Sequence, residues 1–403
     1  MEVKEGYRLT NIGIIPFDWD TIRLGELLDY EQPTKYITKE IDAVNGVPVL
    51  TSNKSFILGY STEETGIFKK TPIILFDDFT TDRKYVDFPF KIRSSATKIL
   101  KPNRGNLNLK YIFNAFDTVK FRADDHKRYW ISEFQYLKIP LPSVYEQQKI
   151  MSILDTWEKG INKKKELLSE LYKRRKELEI GLFSGQIRFG KFKQNSKKTK
   201  TYLGEMPFDW RLMQMSNVVK RVKSGFTPSP EKLYKEIGIR SHCKGIFYKE
   251  EVTGSSLGNK SVFWIKPNCF IVNIVFAWEH AIAKTTEEEV GMIASHRFPM
   301  YQTKEGVLDL DYLLYYFKTR RGKHLLGLAS PGGAGRNKTM GQAEFAKLKI
   351  PIPSLEEQKG IVEILSEADK EIKIFEKQLD ILKTQRKGLT QKLLTGEVRV
   401  KID

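Results

Sequence analysis

Apolar residues step by four and three along two stretches of this 403-residue chain. The first stretch runs Ile150, Leu154, Trp157, Ile161, Leu168, Leu171, Leu178 and Leu182, with Lys164 and Arg175 completing the register. The second runs Ile361, Leu365, Ala368, Ile372, Phe375, Leu379, Leu382, Leu389 and Leu393, with Arg386 completing it. A heptad seam held for about five repeats predicts coiled-coil helices rather than ordinary surface helices. Their ends are marked as well. Ser143-x-x-Glu146 and Ser354-x-x-Glu357 read as capping boxes, each directly after a proline, and Gly185 and Gly396 stand where C-terminal caps belong. Roughly 40 residues at about 1.5 Å each make a rod of about 60 Å. A single apolar stripe on such a rod must be covered. The expected cover is the other copy in the same chain, running antiparallel, because the chain passes through a globular half between the two. Packing of each helix on its own domain, or parallel dimerisation of the chain, are the alternatives.

The two stretches are one repeat. Residues 139–189 align with residues 350–400 at a constant offset of 211 without a gap, and about 19 of 51 positions are identical. A shorter repeat, Pro16-Phe17-Asp18-Trp19 and Pro207-Phe208-Asp209-Trp210, opens each half at an offset of 191, so the material in between is 20 residues longer in the second half. Two constant frames hold divergent contents. The reading divides the chain into a globular domain at 1–140, a long helix at 141–189 and a polar linker at 190–201. A second globular domain follows at 202–350, and the second long helix with its tail at 351–403.

The divergent domains mix strand-like runs with a late helix. Residues 72–76 and 270–276 predict buried strands, and residues 107–119 and 310–318 have helical spacing. A polar loop precedes each long helix: residues 120–129, with Arg122, His126, Lys127 and Arg128, and residues 330–339, with Arg336, Asn337 and Lys338. The second loop is glycine-rich but lacks the Gly-Lys-Ser/Thr ending of a phosphate-binding loop. Its donors suit phosphates and base edges, and an ordinary flexible loop is the other reading.

Charge adds a partner. The chain carries a net +18, concentrated as +8 over residues 141–200 and +8 over 201–350, with +2 over residues 1–140. Such an excess favours a polyanion, and nucleic acid comes first. No segment is long and apolar enough for a membrane span, no signal-peptide pattern opens the chain, and two cysteines suggest a reducing compartment; the expectation is a cytoplasmic protein.

Catalytic signatures are lacking. The five histidines and two cysteines show no metal-ligand spacing, so neither metal nor cofactor is expected. Asp78 and Asp82 lie only four apart in a predicted loop, which does not set two metal ligands on adjacent strands. Basic and aromatic residues interleave at Arg83, Lys84 and Tyr85. Lys244, His280 and Arg297 join the loop residues as candidates for DNA contact. Arg175-Lys176 and Arg386-Lys387 occupy equivalent seam positions, either as stems along the seam edge or as docking contacts for a partner subunit.

The paired I-P-x-P-S-x-x-E-Q segments, each ending in Ser/Thr-Gly-Gln/Glu-x-Arg, and the Pro-Phe-Asp-Trp entries resemble the specificity subunit of type I restriction-modification systems. The resemblance covers the whole chain. It implies an α+β architecture: two mixed target recognition domains joined by two long helices in an antiparallel coiled coil, with a pseudo-twofold repeat. It also implies a non-enzymatic subunit that reads a bipartite, asymmetric DNA site with a fixed gap. Its implied partners are double-stranded DNA, modification subunits, two of them, which methylate adenine, and restriction subunits. A stand-alone sequence-specific DNA-binding protein is the alternative.

Overall fold

A computed structural model describes residues 3–42, 44–52, 55–105, 107–119, 121, 128–194, 197–202, 204–332 and 338–401. The chain forms two compact units, Met1–Glu166 with Lys377–Asp403, and Leu167–Glu376. The division falls inside the two long helices, Val144–Ser184 and Leu355–Leu394, so each unit holds part of both.

In the first unit a hairpin, Tyr7–Thr10 with Gly13–Pro16, leads into Asp20–Arg23, which pairs antiparallel with Lys138–Leu141 just before the long helix. Between these lies a four-stranded sheet in the order Leu28–Glu31, Thr97–Pro102, Ile73–Asp77, Arg83–Val86. A three-stranded sheet, Ile57–Ser61, Val47–Leu50, Lys91–Ile92, stands beside it. Ile74, Phe76, Tyr111, Trp130 and Phe134 of this scaffold pack with Ile150 and Leu154 of one helix and Leu393 and Leu394 of the other in one core.

The second unit repeats the plan. Lys198–Thr201 pairs with Gly204–Pro207, and Arg211–Gln214 with Lys349–Ile352. A four-stranded sheet again runs Val219–Val222, Met300–Thr303, Phe270–Val272, Ile282–Lys284. The additional residues enlarge the neighbouring sheet to five strands: Gly225–Phe226, Val262–Trp264, Ile293–Ser295, Leu233–Ile239, Ile246–Thr253. The extra length therefore enters as two further strands at one edge of a shared plan.

Within each unit the helix segments run antiparallel, because contacts on one helix advance as those on the other recede. Glu158 meets Arg386 at 3.1 Å and Lys164 donates to Gln378 at 2.5 Å in the first unit. Tyr172 bonds Glu376 and Arg175 donates to Asp369 at 2.8 Å in the second. Every apolar position of the expected seam is buried or half-buried.

Several expectations need correction. The stretch at 190–201 is not a structureless linker. It holds a 3₁₀ turn at Gly190–Gln194 and the strand Lys198–Thr201, whose hairpin Thr201 Oγ1 closes by donating to Gly204 O at 2.8 Å. Its polarity misled because neither face of this strand is buried. The run at 270–276 gives only the strand Phe270–Val272, since Asn273 Oδ1 accepts from Val275 N at 3.1 Å and turns the chain. The helix expected at 107–119 is Leu109–Ala115 followed by a 3₁₀ turn, whereas Leu310–Lys318 is helical as expected.

Candidate functional site

The repeated motifs meet in each unit. Ser143 Oγ and Ser354 Oγ accept from the backbone N–H of Glu146 and Glu357, at 3.2 and 3.3 Å, so half of each capping box forms. The glutamates do not reach back. In the second unit Glu357 accepts Arg188 Nε at 2.7 Å, Arg188 Nη2 at 2.8 Å and Trp210 Nε1 at 3.0 Å. Arg188 then forks onto Asp209 at 3.0 and 2.7 Å. In the first unit Glu146 accepts Arg399 Nε at 2.7 Å and Trp19 Nε1 at 2.9 Å, and Arg399 forks onto Asp18 at 2.9 and 2.8 Å. Both glutamates are 1% exposed, so their charge is held by pairing and hydrogen bonds rather than water. The Glu357 and Asp209 carboxylates push the Arg188 pKa further up, and Asp18 and Glu146 do the same for Arg399. Asp18 is lowered in turn by its bond from Arg399.

Glycine completes each lock. Gly185 and Gly396 have φ of +69° and +73°, and a Cβ there would stand 2.2 Å from the Pro207 ring and 2.4 Å from the Pro16 ring. Each fixed motif is thereby explained: Pro-Phe-Asp-Trp supplies ring, carboxylate and indole, and the helix ends supply glutamate, glycine and arginine. Sequence reasoning quoted these residues but did not bring them together. Their identity at both offsets was the available signal.

The candidate DNA contacts fall into different environments. Arg83 pairs with Asp117 and lies over the Phe116 ring at 5.1 Å, with burial pulling its pKa down. Lys84 is half-buried, and Tyr85 packs on Phe113 with ring centroids 5.9 Å apart. Arg128, Lys244 and Arg297 are exposed, and Lys338 Nζ lies 5.7 Å from the Trp278 ring centre. Arg122, His126, Lys127, Arg336 and Asn337 lie outside the described residues. His280 is buried, in left-handed backbone, with Nε2 lacking a hydrogen-bond partner among the described residues. Burial lowers its pKa from 6.5 to about 4, so its ring is neutral and does not face solvent. Asp78 is buried and serves the local backbone. Its Oδ1 accepts from Trp130 N at 3.0 Å and its carbonyl accepts from Tyr129 N at 3.0 Å, anchoring the end of the first polar loop. No cluster of metal-binding side chains occurs among the described residues.

Of the candidate partner contacts, Lys176 and Lys387 are exposed. Arg175 is engaged by Asp369 and Glu179 and lies 6.0 Å from the Tyr315 ring centre, and Arg386 faces Glu158.

The sequence matches the type I restriction modification DNA specificity domain over residues 16–172 and 207–384. The chain belongs to the type I restriction-modification specificity family. The type I restriction enzyme EcoR124I/EcoR124II specificity subunit of Escherichia coli is 31% identical over 373 residues, covering 88% of this chain and 87% of that one. The MjaVIII specificity subunit of Methanocaldococcus jannaschii is 23% identical, covering 96% and 94%. The fold is shared with the crystal structure of the S subunit from M. genitalium, at 13% identity and a TM-score of 0.54 over 100% and 99% of the two chains. It is shared too with a chain from a type I system studied for complex assembly and conformational transition, at 14% identity and a TM-score of 0.58 over 95% and 99%. Specificity subunits are non-catalytic components that recognise DNA sequence within a complex with methyltransferase and restriction subunits. Among the described residues, no helix is long and apolar enough to cross a membrane.

Proposed function

We propose that this chain reads a bipartite, asymmetric DNA site with a fixed gap, residues 1–140 reading one half and residues 202–350 the other. The supporting observation is one plan used twice with unlike contents. The same Trp–Glu–Arg–Asp lock and four-stranded sheet recur, while the neighbouring sheet has three strands in one unit and five in the other. The long helices set the gap. Two modification subunits dock, one on each repeat of the frame, with the exposed Lys176 and Lys387 beside Arg175 and Arg386 as their contacts, and restriction subunits join that core in the cytoplasm. DNA contacts come from Arg83, Lys84, Tyr85, Arg122, Lys127 and Arg128 in one half. In the other they come from Lys244, Arg297, Arg336, Asn337 and Lys338; His280 is set aside because its ring is buried.

Sequencing adenine methylation in cells that express this chain with its modification subunit tests the reading. A two-part motif with a constant gap is expected. A continuous motif, or none in cells where the complex co-purifies, would overturn it. Binding to a specific site without any co-purifying methyltransferase would favour the stand-alone alternative.

A further inference from the structure

In the second unit an open cleft of about 400 Å³ lies between the strand Leu233–Ile239 and the loops that follow Phe270–Val272 and Ile293–Ser295. Its wall carries Glu236, Lys249, Lys260, Asn273, His296 and Arg297. We infer that this cleft takes the edge of one base pair, with Glu236 accepting a hydrogen bond from an exocyclic amino group and Arg297 beside it as donor. The inference rests on the DNA-reading role proposed above and names the residues that carry it in this unit.

Glu236 is the observation that points to a ligand. It is 9% exposed, yet among the described residues its only polar side-chain contact is a long one, Lys249 Nζ at 3.5 Å. A carboxylate on the wall of an open cleft keeps acceptor capacity that a donor arriving from outside can use. The strand pairing shifts register between Lys235 and Ile237, so Glu236 sits on a bulge. Bulges re-aim side chains beside functional sites. Asn273 is fixed by its backbone N–H to Ala281 O at 2.9 Å, its carbonyl from Phe276 N at 3.1 Å and its Oδ1 from Val275 N at 3.1 Å, which leaves the amide NH₂ as a donor on the cleft wall. The loop bearing Arg297 is also held in place. Arg297 O accepts from Ile274 N at 2.9 Å, and His296 N donates to Ser261 O at 3.1 Å. Lys260 and Arg297 are exposed and have no ion-pair partner among the described residues, so the rim attracts phosphate while the carboxylate waits inside.

The other unit does not offer the same amide donor. By strand register Asp77 stands where Asn273 stands here, and Asp77 is satisfied by Ser52 Oγ at 2.7 Å and by the N–H groups of Phe79 and Thr80 at 2.9 Å. Ser52, Asp77 and Thr97 are all buried together. A carboxylate suits cytosine N4, whereas the forked guanidinium suits guanine O6 and N7. An adenine N6 is the other amino group within the same chemistry.

The test uses the assembled complex of this chain with its modification subunit. Wild-type methylation sequencing first defines the two-part motif; if there is none, the proposed function fails, and the cleft with it. Given a motif, Glu236→Gln keeps shape but replaces an acceptor oxygen with a donor. It should relax or switch one base pair in one half-site, the changed letter telling cytosine from adenine. Arg297→Lys keeps the charge but loses the fork. It should weaken binding to the cognate duplex about tenfold or more, with binding to unrelated duplex changed by less than about twofold. An unaltered motif with Glu236→Gln would overturn the inference, as would an equal loss on cognate and unrelated DNA with Arg297→Lys. Should Glu236→Gln fail to assemble, Arg297→Lys at its exposed position decides alone.

Discussion

Arg188 shows how much one residue can carry in this chain. It binds a glutamate 1% exposed and an aspartate at the same time, and it closes the second frame. Arg188→Ala leaves Glu357 buried with only the Trp210 indole, and should cost about 3–5 kcal/mol by denaturant unfolding. Adding Glu357→Gln should recover part of that loss, because the stranded charge is gone; a double variant no more stable than Arg188→Ala would contradict this account. His280 gives a pH signature. Its folded pKa, about 4, lies below the usual 6.5, so the unfolded chain binds more protons between those values. The stability it contributes is complete above about pH 6.5 and is lost as pH falls toward 4. His280→Asn tolerates left-handed backbone and should flatten the fall in melting temperature between pH 7 and pH 5. An equally steep fall in the variant would remove His280 as its source.

At the level of elements, the long helices were the most legible part of the sequence. A repeated heptad seam, a serine start and a glycine stop agree with one another, and the helices occupy Val144–Ser184 and Leu355–Leu394. Short strands were less legible because tertiary pairing defines them. Lys198–Thr201 has no apolar face to read, and the long hairpin Leu233–Ile239 with Ile246–Thr253 is interrupted by a bulge that spoils alternation. Glu146 and Glu357 misled for another reason. The capping-box spacing is real, but an arginine distant in sequence offers their carboxylates a stronger, charge-assisted bond than the local N–H does. Arg297 entered the candidate DNA contacts because its segment follows an apolar strand, while nothing in the sequence marked Glu236 as a buried carboxylate. The seam also yields a prediction. Four residues inserted after Leu171 keep it nearly in phase and lengthen the helix by about 6 Å. Methylation sequencing should then show unchanged half-sites with the gap longer by about one or two base pairs. Altered half-site letters with an unchanged gap would refute a spacer role for the helices.

For the whole molecule, duplication separates a shared frame from unlike contents. Lock, hairpin and four-stranded sheet are common to both units, and on the function proposed above the residues that support assembly differ from those that read DNA. The consequence is modularity. Residues 20–138 run from just after Trp19 to the first residue of the strand Lys138–Leu141, so an exchange at these points leaves Asp18, Trp19, Glu146 and Arg399 in place. The buried Phe76, Trp130 and Phe134 travel with the exchanged segment, while Ile150 and Leu154 stay behind. A donor segment from a related chain must therefore match the core only where it meets the helices. Such a chimaera should assemble normally with the modification subunit and methylate a motif in which one half-site is new and the other is the parent's. Change in both halves would mean that the two domains read DNA jointly. Change in neither, with assembly intact, would place the specificity outside residues 20–138.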